Sequence, residues 1–137
     1  MRDLSLHILD LTQNSVKAGA SLVQVLIRDS ERDDLIRIEI VDDGCGMDTD
    51  LLERVTSPFT TTRTTRKVGL GIPLFKQVAE MCGGKLTLQS TVGKGTKTQA
   101  TFIASHMDLP PMGDLKGTME TLIIANPERP DFAWFTA

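Results

Sequence analysis

The amino-acid sequence predicts a two-layer α/β sandwich, with the helices on one face of a mixed sheet. Three observations predict this fold class. One early segment repeats apolar residues at helical spacing, several later segments alternate apolar and polar residues, and the elements follow one another as helix, two strands, helix, two strands. Strand pairs interleaved with helices favour one sheet that is covered by helices on one side.

The first part of the chain supplies one helix and two strands. The helix is predicted over residues 4–18, where one helical face collects apolar or small side chains, and Gly19 ends it. Residues 22–28 and 35–41 are rich in β-branched side chains and predict strands, and the polar run 29–34 predicts the hairpin turn between them.

Two further helices are predicted on either side of a loop. Asp48 is suited to cap a short helix, which ends before Pro58 because the residue ahead of a proline avoids helical angles. Residues 60–68 lack apolar periodicity and predict a mobile surface loop. Pro73 suits the first turn of a helix that runs to Cys82. Its predicted buried stripe consists of Leu74, Val78 and Met81 or Cys82.

The last part of the chain predicts two hairpins. Residues 86–104 alternate apolar and polar side chains on either side of a glycine-containing turn, which predicts two antiparallel strands. Residues 107–117 predict a connection, and residues 121–135 predict a second hairpin attached to the same sheet. We therefore expect one domain over residues 1–137, with a C-terminal hairpin extension from about residue 107.

Composition, charge and cysteine spacing exclude several classes of function. The 137 residues are 40% hydrophobic, no apolar run approaches the roughly 18 residues of a spanning helix, and a secretory signal is not recognisable, so we expect a cytoplasmic protein without membrane contact. The net charge is −3 and most basic residues are scattered, so we expect no nucleic-acid partner. Cys45 and Cys82 form no CxxC pair, which argues against a zinc ribbon or a redox dithiol.

One edge of the first predicted helix carries polar groups. Asp10 and Asn14 are four residues apart and share a face, and Lys17 lies three residues further along on nearly the same side. The edge therefore presents an acid, an amide and a cation. Taken alone, this pattern also fits the exposed polar face of any amphipathic helix.

A carboxylate and two glycines follow the second predicted strand. Asp42 ends an apolar strand ahead of Gly44 and Gly46, which suits a hydrogen-bond acceptor beside a turn that a ligand can approach closely. A tight Asp-Gly turn without a ligand is the alternative. The third glycine of a GxGxxG dinucleotide fingerprint is absent.

A third stretch is suited to phosphate. Gly69 and Gly71 precede a predicted helix and lack the GK[ST] ending of a P-loop, yet backbone N–H groups at a helix N-terminus bind phosphate. The loop ahead of them carries Thr61, Thr62, Arg63 and Lys67, whose hydroxyl and cationic groups could close over a triphosphate as a lid.

The order of these stretches resembles the GHKL superfamily, which includes histidine kinases, type II topoisomerases, heat-shock chaperone ATPases and mismatch-repair ATPases. The resemblance covers residues 6–102, and the second half is most similar to the histidine kinases. The matching boxes are Asp10-Leu-Thr-Gln-Asn14-Ser-Val-Lys17, Asp42-Asp-Gly44-Cys-Gly46-Met47, Ser57-Pro58-Phe59, Gly69-Leu70-Gly71 and Gly93-Lys-Gly95-Thr96.

The resemblance implies an ATP site with Mg²⁺. Asn14 would ligate the ion, Asp42 would accept the adenine amino group, Thr96 would help to hold the base edge, Met47 would pack on the ring and Lys17 would face the phosphates. One amide ligand suffices for Mg²⁺, which otherwise takes phosphate oxygens and water. The full expected ATP site is Asn14, Lys17, Asp42, Gly44, Gly46, Met47, Thr61, Thr62, Arg63, Gly69, Leu70, Gly71 and Thr96.

Three functions are compatible with this site. The first is transfer of the γ-phosphoryl group of ATP to a separate protein partner in signalling. The second is slow ATP hydrolysis that drives lid closure or homodimer formation. Asp10 is the candidate general base because it stands where mismatch-repair ATPases have glutamate, although its side chain is one methylene shorter. The third is a non-enzymatic module that presents a protein-binding surface when nucleotide orders its lid.

Overall fold

The computed structural model describes residues 3–56 and 71–137. Its strands form one five-stranded sheet in the order β3, β4, β2, β1, β5. Neighbouring strands are antiparallel except for β1 and β5, which are parallel, so the sheet is mixed. The elements are α1 (Leu4–Lys17), β1 (Leu22–Ser30), β2 (Leu35–Asp42), α2 (Thr49–Thr56), α3 (Gly71–Met81), β3 (Leu86–Thr91), β4 (Gly95–Ile103), α4 (Leu115–Ala125) and β5 (Asp131–Thr136).

The helices cover one face of this sheet, which confirms the predicted fold class. Val25, Ile38 and Phe102 are on the covered face and are almost completely buried. Their sequence neighbours point to the opposite face, where Gln24 and Glu39 are half-buried. The alternation that predicted the strands therefore follows from burial on one face only.

Caps at both ends explain where α1 begins and ends. The Asp3 carboxylate accepts a hydrogen bond from the Leu6 N–H group at 3.1 Å, which satisfies one of the free donors of the first turn. Beyond Lys17 the chain leaves the helix, and Gly19 adopts a φ of 76° that favours glycine. In the same way, the Asp48 carboxylate accepts from the Leu51 N–H group at 2.8 Å and confirms the predicted cap of α2.

The predicted buried stripe of α3 is wrong in part. Leu74 and Met81 are 39% and 48% exposed, whereas Phe75 and Ala79 are fully buried, together with the predicted Cys82. The helix has two apolar stripes, and the stripe that carries the aromatic ring faces the core. Phe75 lies between the rings of His7 and Phe102, at centroid distances of 5.5 and 5.6 Å.

The predicted C-terminal hairpin is also wrong. The segment forms α4, whose cap Asp114 accepts a hydrogen bond from the Gly117 N–H group at 2.9 Å, and whose buried side chains are Met119 and Leu122. β5 then pairs in parallel with β1 rather than with a neighbour in sequence. A short apolar run of this kind fits a strand or a buried helix equally well, and here the cap decides in favour of the helix.

Candidate functional site

A cleft opens at the end of the covered sheet face, where α1 and the start of α3 stop shielding the strands. It holds about 740 Å³ of empty space, its open mouth included. It is lined by Leu11, Asn14, Ser15, Lys17, Ala18, Ile40, Asp42, Cys45, Gly46, Met47, Leu51, Ile72, Thr96 and Thr98.

Two residues on the floor of the cleft, Asp42 and Thr96, belong to a polar row that crosses three strands. Asp42 on β2 is the register partner of Thr96 on β4, and Thr96 is the partner of Ser90 on β3. The side chains of direct partners point to the same sheet face, with Cβ atoms about 5 Å apart. The strands thus place a carboxylate and two hydroxyl groups side by side.

Two hydrogen bonds fix the Asp42 carboxylate. The Ser15 hydroxyl of α1 donates to Oδ2 at 2.6 Å, and the Gly44 N–H group donates to Oδ1 at 2.9 Å. A carboxylate has about four lone-pair sites, so these two bonds leave acceptor capacity for a ligand. Asp42 lines the cleft as a positioned hydrogen-bond acceptor.

The glycine loop after β2 is tied down on two sides. The Cys45 N–H group donates to the Ala18 carbonyl at 2.9 Å, and the Cys45 carbonyl accepts from the Gly93 N–H group at 2.7 Å. Gly46 has a φ of 72°, and a Cβ there would lie 2.1 Å from the Thr91 carbonyl oxygen. Glycine is therefore required by both conformation and close approach.

Asp43, the neighbour of Asp42, stabilises the fold instead of facing the cleft. Its carboxylate accepts from the Ser21 hydroxyl, from the Ser21 N–H group at 2.7 Å and from the Leu22 N–H group at 2.9 Å. These bonds, the Ser21 hydroxyl first, lower the pKa of Asp43 to about 2. The carboxylate thus joins the loop to the start of β1.

The edge of α1 supplies the other end of the cleft. Asn14 is half-buried, and its Nδ2 atom is buried without a hydrogen-bond partner among residues 3–56 and 71–137. Lys17 is exposed at the cleft, one turn further along. Because Nδ2 has no partner among these residues, no hydrogen bond from it holds the amide in one orientation, and the side chain can offer its oxygen to a cation such as Mg²⁺.

Other predicted site residues have different positions. Gly44 contributes its N–H group to Asp42, and Gly71 begins α3 directly before the lining residue Ile72. Asp10 is not a lining residue of the described cleft. It lies against the start of α3, where a Cβ atom added to Gly71 would be 3.2 Å from the Asp10 Cβ atom. Thr61, Thr62, Arg63, Gly69 and Leu70, the Phe59 box and the predicted loop 60–68 lie outside the described residues.

The structure therefore brings together Asn14, Lys17, Asp42, Gly46, Met47 and Thr96, and their roles toward a ligand stay predictions. Sequence analysis missed Ser15 and Ser90. Ser15 follows Asn14 directly, but its role depends on Asp42, which is 27 residues away. Ser90 could have been found only from the strand register, because Thr96 is its partner across the hairpin.

Comparisons relate this chain to known proteins. The family model described as "Histidine kinase-, DNA gyrase B-, and HSP90-like ATPase" matches residues 2–106. A "Putative sensor protein" of Shewanella frigidimarina is 32% identical over 103 residues, which cover 74% of this chain and 16% of that protein. "Histidine protein kinase DivJ" of Caulobacter vibrioides is 29% identical over 99 residues, 69% of this chain and 17% of the kinase.

A solved structure extends the likeness to the fold of the whole chain. The ATPase domain of Aquifex aeolicus MutL, in complex with ADP, aligns with a TM-score of 0.64 at 16% identity and covers 99% of this chain and 60% of that chain. The chain spans about a sixth of the length of the two curated relatives. None of the helices within residues 3–56 and 71–137 combines the length and the apolar character that a membrane span requires.

Proposed function

The chain belongs to the family of histidine kinase-, DNA gyrase B- and HSP90-like ATPases, and from this premise we propose that its cleft binds Mg·ATP and that the domain transfers the γ-phosphoryl group to a separate protein in signalling. One observation carries the proposal. The hydrogen-bonded carboxylate of Asp42 lines the same cleft as Asn14, whose buried Nδ2 atom has no hydrogen-bond partner within residues 3–56 and 71–137.

The Asp42 end of the cleft suits a purine. Ile40 and Met47 are buried and line the cleft, so an aromatic base can pack on apolar surface while its edge meets the carboxylate. An ionised carboxylate accepts hydrogen bonds and cannot donate them, so Asp42 favours a base edge that donates. The exocyclic amino group of adenine is such a donor.

The Asn14 end suits phosphates. Asn14 would hold Mg²⁺ through its side-chain oxygen, and the bound ion would neutralise phosphate charge. Lys17 adds a cation at the cleft mouth, and Gly71 begins an eleven-residue helix whose free N–H groups favour anions. We extend the proposed site to Thr61, Thr62, Arg63, Gly69 and Leu70, which precede α3 in sequence.

The phosphoryl acceptor should come from a separate protein. The two histidines of the chain, His7 and His106, are not lining residues of the cleft, and His7 is buried against Phe75. The relatives named as a sensor protein and a histidine kinase favour a signalling role.

Calorimetric titration tests the nucleotide site. Wild type should bind ATP and ADP, and Mg²⁺ should tighten ATP binding. Asn14→Ala should lose most of the Mg²⁺-dependent gain, about tenfold, because the ion loses its protein ligand. Gln13→Ala, an exposed neighbour on α1, is the matched control and should bind as wild type does. Absence of ATP binding at millimolar concentration would exclude the proposal.

Labelled γ-phosphate then separates transfer from the alternatives. Label that appears on a co-purified or genetically adjacent protein supports transfer. Label that appears only as inorganic phosphate supports hydrolysis instead, and Asp10→Asn should then abolish release while sparing nucleotide binding. Label that stays in ATP with every partner tested supports a nucleotide-gated binding module.

Thiol labelling gives an independent measure of where nucleotide binds. Cys45 is exposed and lines the cleft, whereas Cys82 is fully buried, and burial raises the pKa of the Cys82 thiol. A thiol reagent should therefore modify Cys45 first. Mg·ATP should slow that reaction at least tenfold if the nucleotide occupies this cleft. An unchanged rate at saturating ATP would place the nucleotide elsewhere.

A further inference from the structure

The C-terminal segment, residues 107–137, contacts α1 at both ends and along one side. The family model matches residues 2–106 and does not include this segment. At the start of α1, the first two N–H groups of the helix donate to the Pro111 and Met112 carbonyls at 2.9 and 2.8 Å. Along its side, α1 packs against α4. The helix that carries the phosphate end of the cleft is therefore held by the C-terminal segment.

At the other end of α1, the segment reaches the helix through Arg129. The Arg129 Nη2 atom donates to the Gly19 carbonyl oxygen at 3.2 Å, two residues beyond Lys17, the last residue of the helix. Carbonyl groups at the C-terminus of a helix carry partial negative charge, so a guanidinium group is a favourable partner there. Arg129 thus ties the turn that follows α1, residues 18–20, to the C-terminal segment.

This turn connects Arg129 to the cleft. The Ala18 N–H group donates to the Asn14 carbonyl at 2.9 Å, within the last turn of α1. The Ala18 carbonyl accepts from the Cys45 N–H group at 2.9 Å, in the glycine loop. The next carbonyl, that of Gly19, accepts from Arg129. A displacement of the turn would therefore move the part of α1 that carries Asn14.

We propose that Arg129 is a positioning residue of the nucleotide site: through the Gly19 carbonyl it holds the turn after α1, and thereby Asn14, in place for the metal ion. This inference rests on the proposed Mg·ATP site. Arg129 is exposed and is not a lining residue of the cleft, so it acts through α1 and not by contact with the ligand. Asp42 lies on β2 and keeps its bond from Gly44 when the turn moves, so the effect is expected at the metal end.

Titration with ATP in the presence and absence of Mg²⁺ measures this effect. Arg129→Ala should weaken binding of Mg·ATP about fivefold and binding of ATP without Mg²⁺ less than about twofold, because only the first uses Asn14 as a metal ligand. Arg129→Lys keeps a cation with N–H donors and should retain most of the affinity. Glu128→Ala, at the exposed neighbouring residue, is the matched control and should bind as wild type does.

The comparison with and without Mg²⁺ also distinguishes positioning from attraction at a distance. ATP without Mg²⁺ carries more negative charge than Mg·ATP, so direct attraction by Arg129 would produce the larger loss for ATP without Mg²⁺. That result would overturn the inference. An equal loss for both forms would mean that Arg129 maintains the whole cleft, and unchanged affinities would remove its influence on Asn14; each would also overturn the inference.

A double variant tests whether the effect passes through Asn14. Arg129→Ala added to Asn14→Ala should cause no further loss of Mg·ATP affinity, because the group that Arg129 positions is already absent. A further loss of similar size would show that Arg129 acts by another route and would contradict the inference. If wild type binds Mg·ATP and the variants give these contrary results, the inference fails and the proposed function stands. If wild type binds no nucleotide, both fail.

Discussion

Two pairs of neighbouring residues on the same face of the sheet differ in polarity and in exposure. Ile38 and its partner Ala100 are 1% and 0% exposed and pack under the helices. Four residues along β2, Asp42 and its partner Thr96 occupy the equivalent positions at the open end and line the cleft. Helix coverage, rather than a change of sheet geometry, separates the two rows. The comparison teaches that one face provides stability where it is covered and recognition where it is not.

The largest expected effect is at the covered part of the face. Phe102 is fully buried and its ring lies 5.6 Å from that of Phe75. Phe102→Ala should lower the free energy of unfolding by about 3–5 kcal/mol, because it removes buried surface and leaves a cavity. Urea unfolding measures this loss. Phe135→Ala, at a ring that is 55% exposed, is the control and should cost far less. Similar losses of unfolding free energy in the two variants would mean that the covered part of the face does not provide the stability.

The polar row should respond in the opposite way. Asp42→Asn should weaken ATP binding about 10- to 100-fold, because hydrogen bonds to a charged group are worth about 1.5–3 kcal/mol. Unfolding free energy should change by less than about 1 kcal/mol, since an amide can still bond to Ser15 and Gly44. Calorimetry and urea unfolding measure the two effects. Asp43→Asn is the matched control, and it should leave affinity within about twofold.

The glycine loop sharpens the comparison through two glycines of similar conformation. Gly46 and Gly93 have φ values of 72° and 81°. A Cβ atom added to Gly46 would collide with the Thr91 carbonyl group, whereas one added to Gly93 would meet no atom within 4 Å. Gly46→Ala should displace the loop and weaken ATP binding about tenfold. Gly93→Ala should cost only backbone strain, about 1 kcal/mol of stability, with unchanged affinity. Equal affinities in the two variants would show that the close approach of Gly46 does not position the site.

Local signals predicted much of this molecule. The spacing of apolar residues placed α1, and alternation placed the four antiparallel strands within one or two residues at most ends. The prediction failed where two local patterns compete. α3 carries two apolar stripes, and the stripe that faces the core is set by the contact of Phe75 with Phe102. Residues 121–125 have a pattern that fits a strand as well as the end of α4.

The candidate site shows the same limit. The residues at motif positions, such as Asn14 and Asp42, could be predicted because glycines and polar spacing mark them in the sequence. Ser15 and Ser90 could not, because each acts on a residue that only tertiary structure or strand register brings near. The mixed sheet was predicted, but the parallel partner of β1 was not, since no local signal specifies a strand that returns from a crossover helix.

The smallest expected effect concerns Asp43, the structural neighbour of Asp42, and it depends on pH. Hydrogen bonds from Ser21 and Leu22 lower the pKa of Asp43 from 3.8 to about 2 in the folded protein. A lowered pKa means that the ionised carboxylate stabilises the fold above pH 4 and that this contribution is lost as the pH falls toward 2. Because Asp43 is exposed, the change in unfolding free energy should be small. Asp43→Asn should be less stable than wild type at pH 7, and the difference should shrink as the pH falls from about 4 and be lost below pH 2.

Titration of the Asp43 carboxyl carbon by NMR measures the cause directly. Its midpoint should lie near 2 in wild type and should rise toward 3.8 in Ser21→Ala, because the Ser21 hydroxyl is the largest single contributor to the lowered pKa. ATP affinity should be unaffected by Ser21→Ala, since this hydroxyl bonds to Asp43 and not to Asp42. A midpoint near 3.8 in wild type would mean that Asp43 does not tie the loop to β1. A loss of ATP affinity in Ser21→Ala would mean that the two neighbouring carboxylates do not divide recognition and stability between them.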